Sequence, residues 1–136
     1  MAFVHGKSAF FSLEDSVPTV RNLSSFIEDI GFPRSIETAE TTTFGSSAKT
    51  YITGLTDATI SISGKFDSVS DGYLTSVLGQ TATIAWVYGP AGSTAGLVKY
   101  NGSAIMTSYE VSATVGDVVT ANFELQVTGA ITRGTF

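Results

Sequence analysis

Strict alternation of apolar and polar residues constrains this chain more than any other feature. In VVTANFELQVTG, residues 118–129, the two classes alternate for eight residues. Because successive side chains of a β-strand point to opposite faces, this period predicts a strand with one face in the core and the other in water. Its predicted inner residues are Val119, Ala121, Phe123, Leu125 and Val127. The segment LTDATISISGKF, residues 55–66, alternates in the same way. Its predicted inner residues are Ala58, Ile60, Ile62 and Phe66.

Further segments with apolar alternation predict a mainly β chain. A loop, GPAGSTAG at 89–96, and a tight turn at Gly116-Asp117 connect neighbouring strands. Short turns between strands of this period favour an antiparallel β-sandwich or half-barrel. The additional predicted strands are residues 3–13 with an interruption at Gly6, an irregular strand at 23–32, residues 81–88, and residues 97–112 with a kink at Asn101-Gly102.

A single helix is predicted over residues 68–78. Asp67 or Ser68 supplies an N-cap, Asp71 suits the positive end of the helix dipole, and Gly79 is placed as a C-terminal stop. This helix would cover an open end or face of the sheet. Its apolar stripe at helical spacing comprises Val69, Tyr73, Leu74, Val77 and Leu78.

The segment 35–51 lacks sustained alternation and is rich in threonine. It predicts a long loop, in part extended, and a loop of this length inside a compact domain is usually functional or disordered. The 136 residues fit a single domain, 1–136, with a long loop at about 38–54.

The composition favours a protein that assembles with other subunits over an enzyme. Charged residues make up only 14% of the chain, against about 25% in an average soluble domain, and depletion of charge is common at interface cores. The formal net charge of −5 disfavours binding of nucleic acid through phosphate neutralisation. There is no cysteine, and no apolar stretch approaches the length of a membrane span or a signal peptide.

No arrangement of residues predicts an active site, a metal site or a cofactor. His5 is the one histidine, and nothing in the sequence supplies the orienting group that a catalytic relay needs. The glycines at 89–96 are not followed by the Lys-Ser/Thr of a phosphate-binding loop. Trp86 and Tyr88 leave open a binding module that stacks on sugars, although packing explains Trp86 more simply.

Four pieces of the chain together resemble the tail tube, or major tail, proteins of long-tailed bacteriophages. They cover more than half of the sequence and occur in the family's order. The pieces are SLED at 12–15, ETTTFGSSAKTYITGLTDATISISGKFD at 40–67, WVYGPAGSTAGLVKYNGSAIMTSYEVS at 86–112 and VGDVVTANFELQVTGAITRG at 115–134.

The resemblance implies a structural virion protein rather than an enzyme. Six subunits would form a ring, and rings would stack into a hollow tube that delivers the genome, with DNA passing through the lumen without specific binding. Partners would be further copies and other tail proteins, namely the tape measure, terminator and baseplate or tip. Assembly would take place in the bacterial cytoplasm, without a membrane.

The resemblance also assigns roles to three groups of residues. The long loop would bridge between rings, through Thr41, Thr42, Thr43, Phe44, Lys49 and Tyr51. Polar residues would face the lumen, with Glu110, Asn122, Glu124, Gln126 and Thr128 as candidates. The tail at 130–136 would dock on an adjacent subunit, through Ile131, Arg133 and Phe136. Alternatives are another virion protein, such as a tail terminator or a capsid decoration protein, and a β-sandwich binding module.

Overall fold

The computed structural model describes residues 3–16 and 19–136, and within them one helix accompanies a mainly β fold. A 3-10 turn, Gly6–Ser8, precedes the first strand. The remaining elements in chain order are β1 (Phe10–Glu14), β2 (Val20–Asn22), β3 (Ile27–Gly31), β4 (Arg34–Glu40), β5 (Tyr51–Lys65), α1 (Ser68–Val77), β6 (Ile84–Gly89), β7 (Val98–Ser112) and β8 (Thr120–Thr135).

The strands form one antiparallel sheet in the order β2-β1-β6-β7-β8-β5-β3, and β4 pairs with β5 outside this path. β5 changes partner along its length. Residues 59–65 pair with β8, whereas residues 51–58 pair with β4. The predicted antiparallel half-barrel with one flanking helix is therefore confirmed.

The alternation in the central strands separates the core from the solvent as predicted. The inward residues Ala121, Phe123, Leu125 and Val127 of β8 are buried, as are Ala58, Ile60 and Ile62 of β5. Two predicted inner residues fall outside the strands. Val119 precedes β8 and is half-buried. Phe66 follows β5 and is 37% exposed, because the chain turns there into the helix.

Helix α1 begins and ends where the sequence predicts. The Asp67 carboxylate accepts hydrogen bonds from the backbone amides of Val69 (3.0 Å) and Ser70 (3.2 Å), and the chain leaves the helix through Gly79 at φ +82°. The Tyr109 hydroxyl donates to Asp71 (2.6 Å) and so ties the helix to β7. The pKa of Tyr109 is raised, mainly by burial and secondly by this hydrogen bond to Asp71.

The predicted apolar stripe of the helix is only partly correct. Leu74 and Val77 are buried and Tyr73 is half-buried, but Val69 and Leu78 are exposed. Val69 lies in the first turn and Leu78 lies just after the last turn, and both positions extend past the edge of the core. The helix ends therefore leave apolar side chains in solvent.

Aromatic packing curls the sheet around its core. Phe32, between β3 and β4, packs edge-on against Trp86 of β6 (centroids 5.3 Å apart) and Tyr100 of β7 (5.7 Å). Arg34 lies over the Phe32 and Tyr100 rings. β3 and β6 are far apart in the strand order, so these contacts require the sheet to bend. Trp86 is 1% exposed, which excludes it as the sugar platform left open by the sequence.

Three predicted boundaries are wrong. The strand predicted at 3–13 begins only at Phe10, because the His5 imidazole accepts a hydrogen bond from the Lys7 amide (3.1 Å) and turns the chain. The loop predicted at about 38–54 is a β-hairpin, and only residues 41–50 connect its strands. The tail predicted after residue 129 is the last part of β8.

The other predicted features are present. β3 carries a register shift between Ile27 and Asp29, which agrees with the irregular strand predicted at 23–32. β7 carries a shift between Asn101 and Ser103, at the predicted kink. Gly116 has φ +86° in the predicted tight turn.

Replacement of Leu125 by alanine should destabilise the domain. Leu125 is fully buried between Ile60 of β5 and Met106 of β7 in the strand register. Truncation of a buried leucine leaves a cavity and costs about 2–5 kcal/mol. Denaturant unfolding should show this loss for L125A. The control is L55A, at a side chain that is 77% exposed, where a change within about 0.5 kcal/mol is expected. Equal stabilities of the two variants would contradict the assigned core.

Candidate functional site: an acidic face and a projecting arm

Polar side chains of four strands form one continuous outer surface, here called the acidic face. Cross-strand pairing aligns Asp29 with Ser63, Ser63 with Asn122, and Asn122 with Glu110. The next row aligns Ser61 with Glu124. The acidic face is defined by Asp29, Ser61, Ser63, Glu110, Asn122 and Glu124.

The acidic face has a negative balance. Within the described residues the ion pairs are Arg21–Asp15 and Lys65–Glu28 (both 2.9 Å), so Asp29, Glu110 and Glu124 are outside any ion pair. Glu110 accepts a hydrogen bond from the Ser112 hydroxyl (2.9 Å). Lys65 of β5 is held by Glu28, whose hydrogen bond raises the Lys65 pKa. The surface is thus suited to exclude anions.

The structure brings the five sequence-predicted lumen residues onto this side of the sheet. Asn122, Glu124 and Thr128 are exposed and alternate with the buried residues of β8. Glu110 is also exposed and lies opposite Asn122 on β7. Gln126 is half-buried because its amide donates to Asp57 (2.6 Å) and to the Ala58 carbonyl oxygen (3.1 Å). This contact lies where β5 separates from β8.

Sequence reasoning missed the part of the acidic face on β3. Asp29 aligns with Ser63 only because the bulge after Ile27 turns its side chain outward. The serines of β5 were on the polar side of a predicted strand, and their neighbours could not be inferred without the strand order. No local signal in the sequence joins these four strands.

The second feature is the β4–β5 hairpin, residues 34–57, here called the arm. Its β5 half has β4 on one side and no strand on the other, so about seven residues project beyond the sheet, or about 20 Å at 3.3 Å per residue. A register shift after Ile36 adds a bulge to the pair. Five large apolar or aromatic side chains of the arm are exposed, namely Ile36, Phe44, Tyr51, Ile52 and Leu55.

The tip of the arm, residues 41–50, is held by its threonines. The Thr41 amide donates to the Thr50 carbonyl oxygen (2.8 Å), and the two hydroxyls are 2.8 Å apart. The Thr50 amide donates to the Thr42 hydroxyl (2.9 Å). Beyond this clasp the Phe44 ring is fully exposed. An aromatic side chain held clear of its own domain has the form of an anchor for another surface.

The predicted inter-ring residues therefore lie together. Thr41, Thr42, Thr43, Phe44 and Lys49 belong to the tip, and Tyr51 begins β5 opposite Glu40. Their contact with another subunit stays a prediction.

The C-terminal residues lie against their own chain. The Phe136 ring packs edge-on against Phe10 (5.6 Å) and covers Gly89, where a β-carbon would lie 2.7 Å from the ring. Arg133 is paired in register with Tyr100 of β7, and Ile131 packs on the core. A subunit contact through Ile131, Arg133 and Phe136 stays a prediction. The contact would be made by the end of β8 and not by a free tail.

Sequence comparison identifies the family of this chain. A sequence model described as phage tail tube protein matches residues 6–133. The chain belongs to the phage tail tube protein family. The resemblance predicted from the four sequence pieces is confirmed. Comparison with curated protein sequences gives no significant match.

Solved tail structures share the fold of this family member. A chain of the tail of an empty gene transfer agent particle, refined with C6 symmetry, superimposes with a TM-score of 0.83 at 14% identity and covers 98% of this chain and 100% of its own. The SPP1 tail tube gives 0.79 at 12% identity, covering 98% and 80%. The sheath-tube complex of an extracellular contractile injection system gives 0.70 at 16%, covering 98% and 93%.

The described residues form neither a metal site nor a helical membrane span. In residues 3–16 and 19–136, no group of three or more histidine or acidic side chains is placed to hold a metal ion. The described helix has ten residues, and no helix of that part of the chain is long and apolar enough to cross a membrane.

Removal of the Thr42 hydroxyl should loosen the tip. T42A deletes the acceptor of the Thr50 amide, and a hydrogen bond of this kind contributes about 0.5–1.5 kcal/mol. Exchange of the Thr50 amide proton, followed by NMR, should therefore quicken by about 2- to 10-fold. T43A is the control, because Thr43 contributes its backbone carbonyl to the Ser46 amide and the substitution retains it. Unchanged exchange in T42A would show that the clasp does not order the tip.

Proposed function

We propose that the protein forms hexameric rings that stack into a hollow tube, and that a phage genome passes through this tube during infection. The observation that carries the proposal is the acidic face, a broad negative surface presented by four strands of a tail tube family member. The six-fold symmetry of the similar gene transfer agent tail supports the ring size.

Ring closure follows from the open margins of the sheet. One margin is the three-residue strand β2, and the opposite margin is formed by β3 and β4. Unpaired strand edges carry backbone donors and acceptors that pair with another chain. Head-to-tail pairing of six copies removes the free edges when the rotation closes. The sheets of neighbouring subunits would then form one continuous inner wall.

The acidic face is assigned to the bore of the tube. Like charges oppose the approach of phosphates, so DNA would move through the bore without adhering to it. Glu110, Asn122, Glu124 and Thr128 would line the wall, and the partly buried Gln126 would lie at its margin. The core of each subunit and α1 would lie farther from the axis.

The remaining assignments follow from this role. The arm would contact the next ring, and the tape measure, terminator and baseplate or tip proteins would be partners. The protein would act as a structural part of the virion tail and not as an enzyme, with assembly in the bacterial cytoplasm and no membrane contact. No cofactor is proposed.

Shortening of the arm should separate stacking from folding. Replacement of residues 41–50 by two glycines removes Phe44 and Lys49 but retains β4 and β5. Negative-stain microscopy should show rings and tubes for the unchanged protein, concentrated or mixed with an initiator complex, and only rings or single subunits for the variant. Circular dichroism should be unchanged, since the core does not include the tip.

The control replaces Ser93, Thr94 and Ala95 of the β6–β7 loop by glycines, at positions that are also exposed. It should assemble like the unchanged protein. Tubes from the shortened variant would refute the role of the arm, and a strictly monomeric unchanged protein under all these conditions would refute the tube.

The position of the acidic face is testable with cysteine labelling, because the chain has no cysteine of its own. In assembled tubes, N122C should react with a small maleimide but much more slowly with a maleimide on a large polymer, which cannot diffuse along the bore. T75C, on the exposed side of α1, should react with both reagents. Rapid labelling of N122C tubes by the polymer would place Asn122 on the outer surface.

A tail terminator is the second candidate. A chain in the structure of a sheath/tube terminator of a contractile injection system has a TM-score of 0.73 at 16% identity and covers 99% of both chains. Antibody labelling of virions separates the two functions. Labelling along the whole tail supports the tube subunit, whereas labelling confined to one end of the tail supports the terminator.

A further inference from the structure

An exposed apolar surface lies at the end of the domain opposite the arm. It is here called the apolar end and consists of five side chains whose exposed fractions range from 37% to 103%, namely Phe66, Val69, Val111, Val115 and Val118. The Phe66 amide donates to the Val119 carbonyl oxygen (2.9 Å), which joins the end of β5 to the β7–β8 turn. Val111 lies opposite Ala121, two residues along the chain from Val119. Val69 follows Phe66 by three residues, in the first turn of α1.

The packing of the subunit does not account for this surface. The core buries the inward residues of β7 and β8 up to this end, and Val115 lies at the tip of the turn with its side chain fully in solvent. Several large apolar residues exposed together mark a contact site more often than chance. Another surface is needed to cover them.

The long central strand relates the arm and the apolar end. Tyr51 follows the tip and Lys65 precedes Phe66, so the two features lie at opposite ends of the 15 residues of β5, which span about 45 Å. The exposed aromatic side chain at one end of a subunit can contact the apolar surface at the other end of a second copy, which is a head-to-tail contact. Head-to-tail contacts whose rotation does not close into a ring generate open stacks.

Charge makes the two ends complementary. Residues 41–50 contain Lys49 and no acidic residue, whereas the turn at 113–119 contains Asp117 and no basic residue. Asp67 and Asp71 lie nearby at the start of α1. The neighbouring Lys65 is paired with Glu28 and is also close enough to Asp117 to interact with its charge. Lys49 thus gives the tip one positive charge, with Glu40 directly before the tip, and the apolar end is negative.

We propose that the apolar end of one subunit is the acceptor for the Phe44-bearing tip of a second copy in the next ring, with Lys49 placed against Asp117. This inference rests on the proposed stacking of rings and names the surface that receives the arm. Phe44 is the buried anchor, and the valines of the apolar end enclose it. An anchor of this kind typically carries most of the affinity of an interface.

Disulfide trapping tests the contact directly. In the variant F44C/V115C each chain has one cysteine in the tip and one in the apolar end. Oxidation of assembled tubes should therefore join chains into a ladder of multimers on non-reducing gels. The F44C and V115C single variants should remain monomers, and so should F44C/T75C, which moves the second cysteine from the β7–β8 turn to α1. Tubes that are intact by microscopy but yield only monomers from F44C/V115C would overturn the acceptor while leaving the tube intact.

A charge exchange covers the case in which the cysteine variant fails to assemble. K49E and D117K should each reduce the yield of tubes by 10-fold or more at low salt, and the double variant K49E/D117K should restore it. Tubes from both single variants at the unchanged yield, or no restoration in the double variant, would overturn the proposal. Failure of the unchanged protein to form rings or tubes would instead refute the proposed function itself.

Discussion

The structure depends on the antiparallel ladder of β5, β8 and β7. β8 lies at its centre and pairs with both neighbours, so its two-residue period fixes the faces of all three strands. One face buries Phe123 and Leu125, and the other presents Asn122 and Glu124 to solvent. A shift of one residue in this register would place the carboxylates in the core. The register of β8 thus fixes both the buried core and the acidic face.

The features proposed for assembly are continuations of this ladder. β5 extends beyond β8 to form the arm, and it ends on the other side at Phe66 in the apolar end. A rigid strand therefore connects the two surfaces that would meet between rings. The threonine clasp limits the freedom of the tip, so less conformational entropy is lost on docking than with a slack loop. This hairpin differs from the long, partly extended loop that the sequence predicts, and it favours a preformed contact.

Sequence patterns predicted the elements that are buried on one side. The inner face of β8 and the cap of α1 at Asp67 could be read directly, because alternation and capping are local. The arm could not, since both of its faces are exposed and no apolar period marks it. The predicted strand ends at Gly129, which has φ +82°, whereas β8 continues past this glycine to Thr135. The acidic face was predicted in part, from β7 and β8, whereas the contribution of Asp29 required the strand order.

Electron cryo-microscopy of the assembled protein, with helical reconstruction, tests the central claim most directly. The account predicts six-fold rings in which Asn122 and Glu124 lie on the wall of the bore, with α1 farther from the axis. A map that places α1 on the bore and these residues on the outer surface would contradict it, and so would a solitary globule that encloses nothing.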